Sequence, residues 1–121
     1  MAVRSAKELT VYQKAYAVSM QIFEFSKTLP AEERYSLCSQ IRRASRSVCL
    51  NLREAWAKRR YEAHFISKLT DCLGENAETD SLLDYARDCH YLVNLNAEVG
   101  KMLTSMIKNP KPFLIASTAR P

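Results

Sequence analysis

Apolar residues recur in steps of three and four along most of this chain, most clearly after Pro30. Leu37, Ile41, Val48, Leu52 and Ala55 fall in one sector when residues are placed at about 100° per step, the mark of an amphipathic helix with one buried face. Pro30 opens this helix, and Glu32 and Glu33 place acids in its first turn, where the helix dipole favours them. The pattern runs to about Arg59. Upstream, a first helix is predicted from Ala6 to Thr28, with Ser5 and Glu8 spaced as a capping box. Two apolar lines lie side by side on it: Leu9, Tyr12, Tyr16 and Phe23, and Val11, Ala15, Val18, Ile22 and Phe25. A stripe that wide exceeds what one neighbouring helix covers, so more than one partner is expected, another subunit among the candidates.

A third helix is predicted from Tyr61 to Arg87, with Phe65, Leu69, Leu73, Leu83 and Ala86 inward and Asp71, Glu75 and Glu78 on another side. The fourth runs from about Leu92 to Lys108, burying Leu92, Leu95, Val99, Met102, Leu103 and Met106, and Asn109-Pro110 ends it. Only two glycines and four prolines occur in 121 residues, too few for a turn-rich β fold. Short connections between long helices imply antiparallel neighbours. The expected architecture is therefore all-α, an antiparallel up-down four-helix bundle over residues 1–110. The tail, residues 111–121, carries two further prolines and is expected to be flexible, with Phe113, Leu114 and Ile115 available to dock.

Charge is sorted along this framework. Residues 34–60 hold eight bases and one acid, net +7, whereas residues 61–100 hold two bases and eight acids, net −6. On the second helix, Arg42, Arg46, Arg53 and Arg60 fall within about 40° of one another, well away from the core sector. Arg43, Lys58 and Arg59 add to this basic surface. Two uses compete: the arginines face the acidic third helix of the same or a neighbouring subunit, or the stripe is open and binds a polyanion. Arginine suits both, because its planar fork engages carboxylate and phosphate alike. Trp56 and Tyr61 flank the basic run, and packing at an interface is the preferred role for them over stacking on bases.

Catalytic and metal chemistry find little support. A di-iron bundle needs Glu-x-x-His pairs, and no glutamate here has a histidine three residues on. His64 and His90 are not spaced from Cys38, Cys49, Cys72 and Cys89 as in a zinc module, and His90 reads as a turn or surface residue. The four scattered cysteines read as reduced, buried small hydrophobes of a cytoplasmic protein. No glycine-rich phosphate loop, cofactor motif, membrane span or secretory leader is evident, so no enzyme, metal, cofactor or membrane role is expected. Arg43, Asn51, Glu54 and Glu78 are expected to form one buried polar network that fixes helix register.

The segments "ELTVYQKAY", "LPAEERYSLCSQIRRASRSVCLNLREA" and "GENAETDSLLDYARDCHYL" resemble the four-helix-bundle family of the protein encoded within 23S ribosomal RNA intervening sequences, often labelled S23 ribosomal protein. The most specific positions are Pro30, Glu33, Tyr35, Leu37, Gln40, Arg43, Ala44, Ser47, Asn51 and Glu54, followed by Gly74, Glu78 and Tyr91-Leu92. Ala55 and His90 stand where glycine is common in that pattern, and Glu75 where serine is common. The resemblance implies a homopentameric ring and similarity to accessory proteins of diversity-generating retroelements, which bind nucleic acid and reverse transcriptase. The resulting expectation is a non-enzymatic, oligomeric nucleic-acid-binding protein, RNA favoured, with Arg42, Arg46, Arg53 and Arg60 on phosphates. The alternative is an interaction module whose ring recruits a protein partner and whose arginines serve subunit contacts.

Overall fold

The computed structural model describes residues 4–91 and 98–114, with backbone alone for 98–102. Among them are four α-helices and no strand: α1 Thr10–Ser26, α2 Leu37–Ala57, α3 Glu62–Asp88 and α4 Glu98–Lys108. The predicted beginning of the fourth helix, with Leu92 and Leu95, lies outside the described residues, as do the side chains of Val99 and Met102. Antiparallel packing is fixed by pairs of side chains that run in opposite register. Arg42 of α2 reaches Ser26 near the end of α1. On the other flank, Arg43 meets Glu78, the Cys72 thiol donates to the Val48 carbonyl, and Lys68 meets Glu54.

The first predicted helix is broken at Leu9, whose extended backbone (φ −71°, ψ 132°) separates a 3-10 turn, Ala6–Glu8, from α1. Ser5 accepts from the Lys7 amide, but the Glu8 carboxylate accepts from the Arg4 amide, so the box closes on one side only. Leu9 then drops into the core. The second helix likewise begins later than the sequence suggests, because Glu32 and Glu33 occupy a separate 3-10 turn, Ala31–Glu33. Glu33 acts from there as a cap: its carboxylate accepts from the Ser36 hydroxyl and the Leu37 amide, and from the Tyr91 hydroxyl across the bundle end. The Ser36 bond is the main cause of a Glu33 pKa below the ordinary carboxylate value.

All five residues assigned to the core face of α2 are buried, and Ala44, Ser45 and Cys49 join them. On α3 the inward set differs from expectation. Phe65, Leu69 and Ala86 are buried, but Cys72, Thr79 and Leu82 replace Leu73 and Leu83, which are only half-buried. Phe65, Cys72, Thr79 and Ala86 form an unbroken seven-residue repeat. Such a repeat drifts about 20° per heptad around a straight helix, so it keeps facing its neighbour only if the helices supercoil gently. Small buried hydroxyl residues occur on α1 and α2, and each is satisfied locally: Ser19 donates to the Tyr16 carbonyl, Ser26 to that of Phe23, and Ser45 to that of Arg42. Beyond α4, Phe113 rests on the core with its ring 6.3 Å from Phe65, and Leu114 packs beside it; Ile115 lies outside the described residues.

Two backbone positions give direct predictions. Gly74 lies mid-way along α3, and a Cβ built there meets nothing within 4 Å. Gly74→Ala is expected to raise the unfolding free energy by about 1 kcal/mol in urea melts, the propensity difference inside a helix. At the end of α3, His90 adopts φ 67°. The Tyr91 amide donates to the Ala86 carbonyl and the His90 amide to that of Arg87, which together make a Schellman cap. The left-handed residue of that cap costs a side-chain-bearing residue about 1 kcal/mol, and glycine nothing. His90→Gly is expected to shift the thermal midpoint upward; an unchanged or lower midpoint would refute this assignment.

Candidate nucleic-acid interface

Helix α2 has α1 on one flank and α3 on the other. That leaves an exposed strip of Ser39, Gln40, Arg43, Arg46, Leu50, Arg53, Glu54 and Ala57. The basic side chains on and beside this strip are held in different ways. Arg42 is half-buried at the α1 edge, where its Nε donates to Ser26 Oγ at 2.6 Å and its guanidinium lies 4.8 Å from the Phe23 ring centre. Arg46 sits over the same ring at 5.5 Å, and Arg53 projects into solvent. Cation–π contacts of this kind orient a guanidinium while keeping its charge available. Arg60 is exposed too, but it follows the end of α2, in the turn toward α3, and so departs from the helical line predicted for it. Among the described residues, none of these four guanidiniums has a carboxylate partner.

The remaining candidates are engaged. Arg43 donates to Glu75 at 3.3 Å and to Glu78, and these acids raise its pKa. Lys58 stands 4.0 Å from Glu54. Arg59 donates to the Trp56 carbonyl and lies 3.9 Å over the Trp56 ring. Trp56 packs its body against the bundle core. Arg59 covers one face of the indole, whereas Tyr61 is exposed, edge-on to His64.

The single polar network expected from sequence is two separate ones. Arg43 joins Glu75 and Glu78, while Glu54 belongs with Lys68 and Asp71. Asn51 returns its amide to the Ser47 carbonyl on its own helix. None of it is fully buried: Arg43, Glu54 and Glu78 are exposed and Asn51 is half-buried, because these groups lie along the rim of the α2–α3 contact rather than inside it. Surface pairs of this kind contribute little stability individually, roughly 0–1 kcal/mol.

Next to the arginine strip, where the α1–α2 turn meets α2, lies a cleft of about 500 Å³. Lys27, Arg34 and Arg42 line it. Sequence reading missed Arg34 and Lys27 as companions of Arg42, since only the turn after α1 brings them together. Cysteine chemistry is subdued. Burial pushes the Cys49 thiol up to about 11 and that of Cys72 to about 12, while Cys89, expected inside, is exposed on the turn after α3. Among the described residues no cluster of three or more His, Cys, Asp or Glu is placed to hold a metal, and no helix is long and apolar enough to cross a membrane.

Residues 7–109 match the sequence model of the 23S rRNA-intervening sequence protein family. The chain belongs to that family. Its fold is similar to a crystal structure of a protein with unknown function from the S23 ribosomal protein family of Bacteroides thetaiotaomicron. The TM-score is 0.72 at 29% identity, with 82% of this chain and 96% of that chain covered. No curated protein matches the chain at a significant level. Several positions carrying the family resemblance have structural roles here. Glu33 and Tyr91 tie the α1–α2 turn to the end of α3, Leu37 and Ala44 fill the core, and Arg43 with Glu78 spans α2 and α3. The serine-to-glutamate departure at Glu75 gives Arg43 its second carboxylate. Tyr35, by contrast, is 88% exposed.

Proposed function

We propose that this protein is a non-enzymatic, oligomeric nucleic-acid-binding protein that prefers RNA, with Arg42, Arg46, Arg53 and Arg60 on phosphates and Lys58 and Arg59 beside them. One observation carries the reading: among the described residues those four guanidiniums have no carboxylate partner, while Arg43 is taken up by Glu75 and Glu78. Among the described residues, the charge difference between residues 34–60 and 61–100 is thus only partly neutralised by internal pairs. Because the family is described by a ribosomal RNA element, RNA is weighted over DNA. Assembly into a homopentameric ring would repeat the strip and multiply weak contacts.

Fluorescence anisotropy with matched RNA and DNA strands across a salt series tests this reading. Log K is expected to fall linearly with log salt, by about 0.7 per phosphate contacted on a single strand and about 0.9 on a duplex. Undetectable binding at low salt, or binding indifferent to salt, would remove the proposal. A second reading is favoured by Leu50, 63% exposed among the arginines, and by Tyr16 and Met20, 52% and 44% exposed on α1. Here these residues serve subunit contacts and the ring recruits a protein partner such as a reverse transcriptase. Native mass spectrometry, with and without RNA, separates the two readings: oligomers that take up no RNA favour the second.

A further inference from the structure

The cleft beside the strip differs from it in shape and in what surrounds its charges. Ser26, Lys27, Pro30, Arg34, Cys38 and Arg42 are among the residues that wall it, and among the described residues none that lines it is acidic. Lys27 is paired with Glu24, on the outer side of α1. Arg34 is exposed, and no carboxylate engages it among the described residues. Arg42 is held half-buried by Ser26 and Phe23 through its Nε and the face of its guanidinium, and among the described residues its two terminal nitrogens have no partner. A partly desolvated cation costs free energy unless an anion meets it. Elsewhere this chain supplies carboxylates to Arg43, Lys68 and Arg87, but among the described residues none meets Arg42.

The geometry points to this cleft as the seat of a phosphate monoester: the terminal phosphate of a nucleic-acid strand that lies along the arginine strip. The inference rests on the nucleic-acid reading above and adds which part of the strand is recognised. Arg42 belongs to both features, and Arg46, one helical turn away, stands about 6 Å further along the axis. A strand tracking Arg53, Arg46 and Arg42 therefore arrives at the cleft. An internal phosphodiester carries one negative charge, whereas a terminal monoester carries about −1.5 to −2 at neutral pH, with three strong acceptor oxygens. Three cationic side chains around a recess suit the second. A volume of about 500 Å³ leaves room for the last sugar as well.

The test uses one short oligoribonucleotide in three forms, with a 5′ phosphate, a 3′ phosphate, or neither. For the native protein, one phosphorylated form is expected to bind about tenfold more tightly than the unphosphorylated strand, the gain of one hydrogen-bonded charge pair. Arg34→Ala is expected to abolish that difference and leave the unphosphorylated affinity unchanged, whereas Arg53→Ala weakens all three forms alike. In the unaltered protein, the preferred form is expected to slow alkylation of the half-buried Cys38 and leave that of the exposed Cys89 unaffected. Equal affinity for all three forms overturns the terminal-phosphate site and leaves the strip intact. A preference that survives Arg34→Ala, or adenosine monophosphate protecting Cys38 as well as the strand does at equal concentration, also overturns it. If no form binds at low salt, the strip and the cleft fall together.

Discussion

Replacing Arg46 and Arg53 together with glutamate is expected to weaken RNA binding about a hundredfold at low salt. Both side chains are exposed, and among the described residues neither has an ion pair or hydrogen bond, so the fold has little to lose by the change. Two phosphate contacts vanish and two repulsions replace them. The dependence of log K on log salt should become shallower by about 1.5 for a single-stranded ligand. Reversing the exposed, carboxylate-paired Arg43 instead mixes lost attraction with new repulsion toward Glu75 and Glu78, so its effect should appear first in stability. Anisotropy titrations paired with circular dichroism melts distinguish the two. An Arg46→Glu, Arg53→Glu double variant that binds as well as the parent would end the case for the strip.

The largest loss of stability is expected from Phe65→Ala. Phe65 is 1% exposed, packs with Leu52, Leu69 and Leu103 in the larger core cluster, and meets the Phe113 ring. Truncating a buried phenylalanine typically costs about 3–5 kcal/mol, because the lost transfer energy is joined by that of an unfilled cavity. For a domain of this size that lowers the thermal midpoint by roughly 15 °C or more. Urea denaturation followed at the helical band provides the measurement, with Tyr85→Ala, at an exposed position of the same helix, as the control. A loss below about 1 kcal/mol would mean that Phe65 does not occupy the described core.

How legible each element was depended on how much of its buried face is strongly apolar. Helix α2 declared itself because Leu37, Ile41, Val48 and Leu52 leave no other face to bury. Helix α3 did not, since its heptad series includes Thr79, whose hydroxyl a count of apolar positions passes over, and small Cys72, beside which the larger Leu73 and Leu83 dominate such a count. The Thr79 hydroxyl is tolerated inside because it donates to the Glu75 carbonyl one turn back. The Leu9 break was hidden for a different reason. Nothing in the residue types distinguishes an α-helix from a 3-10 turn followed by one extended residue.

The candidate site divides in the same manner. The arginine strip was readable as angles on one helix, and three of its four members keep that arrangement. Arg60 escaped it because α2 ends at Ala57, three residues too soon. Angular nearness also misled on Asn51 and Glu54, whose partners were chosen by reach: Glu54 finds Lys68 on the facing helix, and Asn51 bonds its own backbone. The Arg42–Ser26 contact had no signal to find, joining a base to a neutral hydroxyl across 16 positions.

One hydroxyl group performs two tasks at that contact. Ser26 Oγ gives its proton to the Phe23 carbonyl in the last turn of α1 and receives the Arg42 Nε hydrogen on its lone pair. The stopping point of one rod and the aim of a cation on the next are therefore a single inherited trait. A lineage that lengthened, shortened or re-spaced that terminus would swing the guanidinium elsewhere, and would have to rediscover whatever it grips.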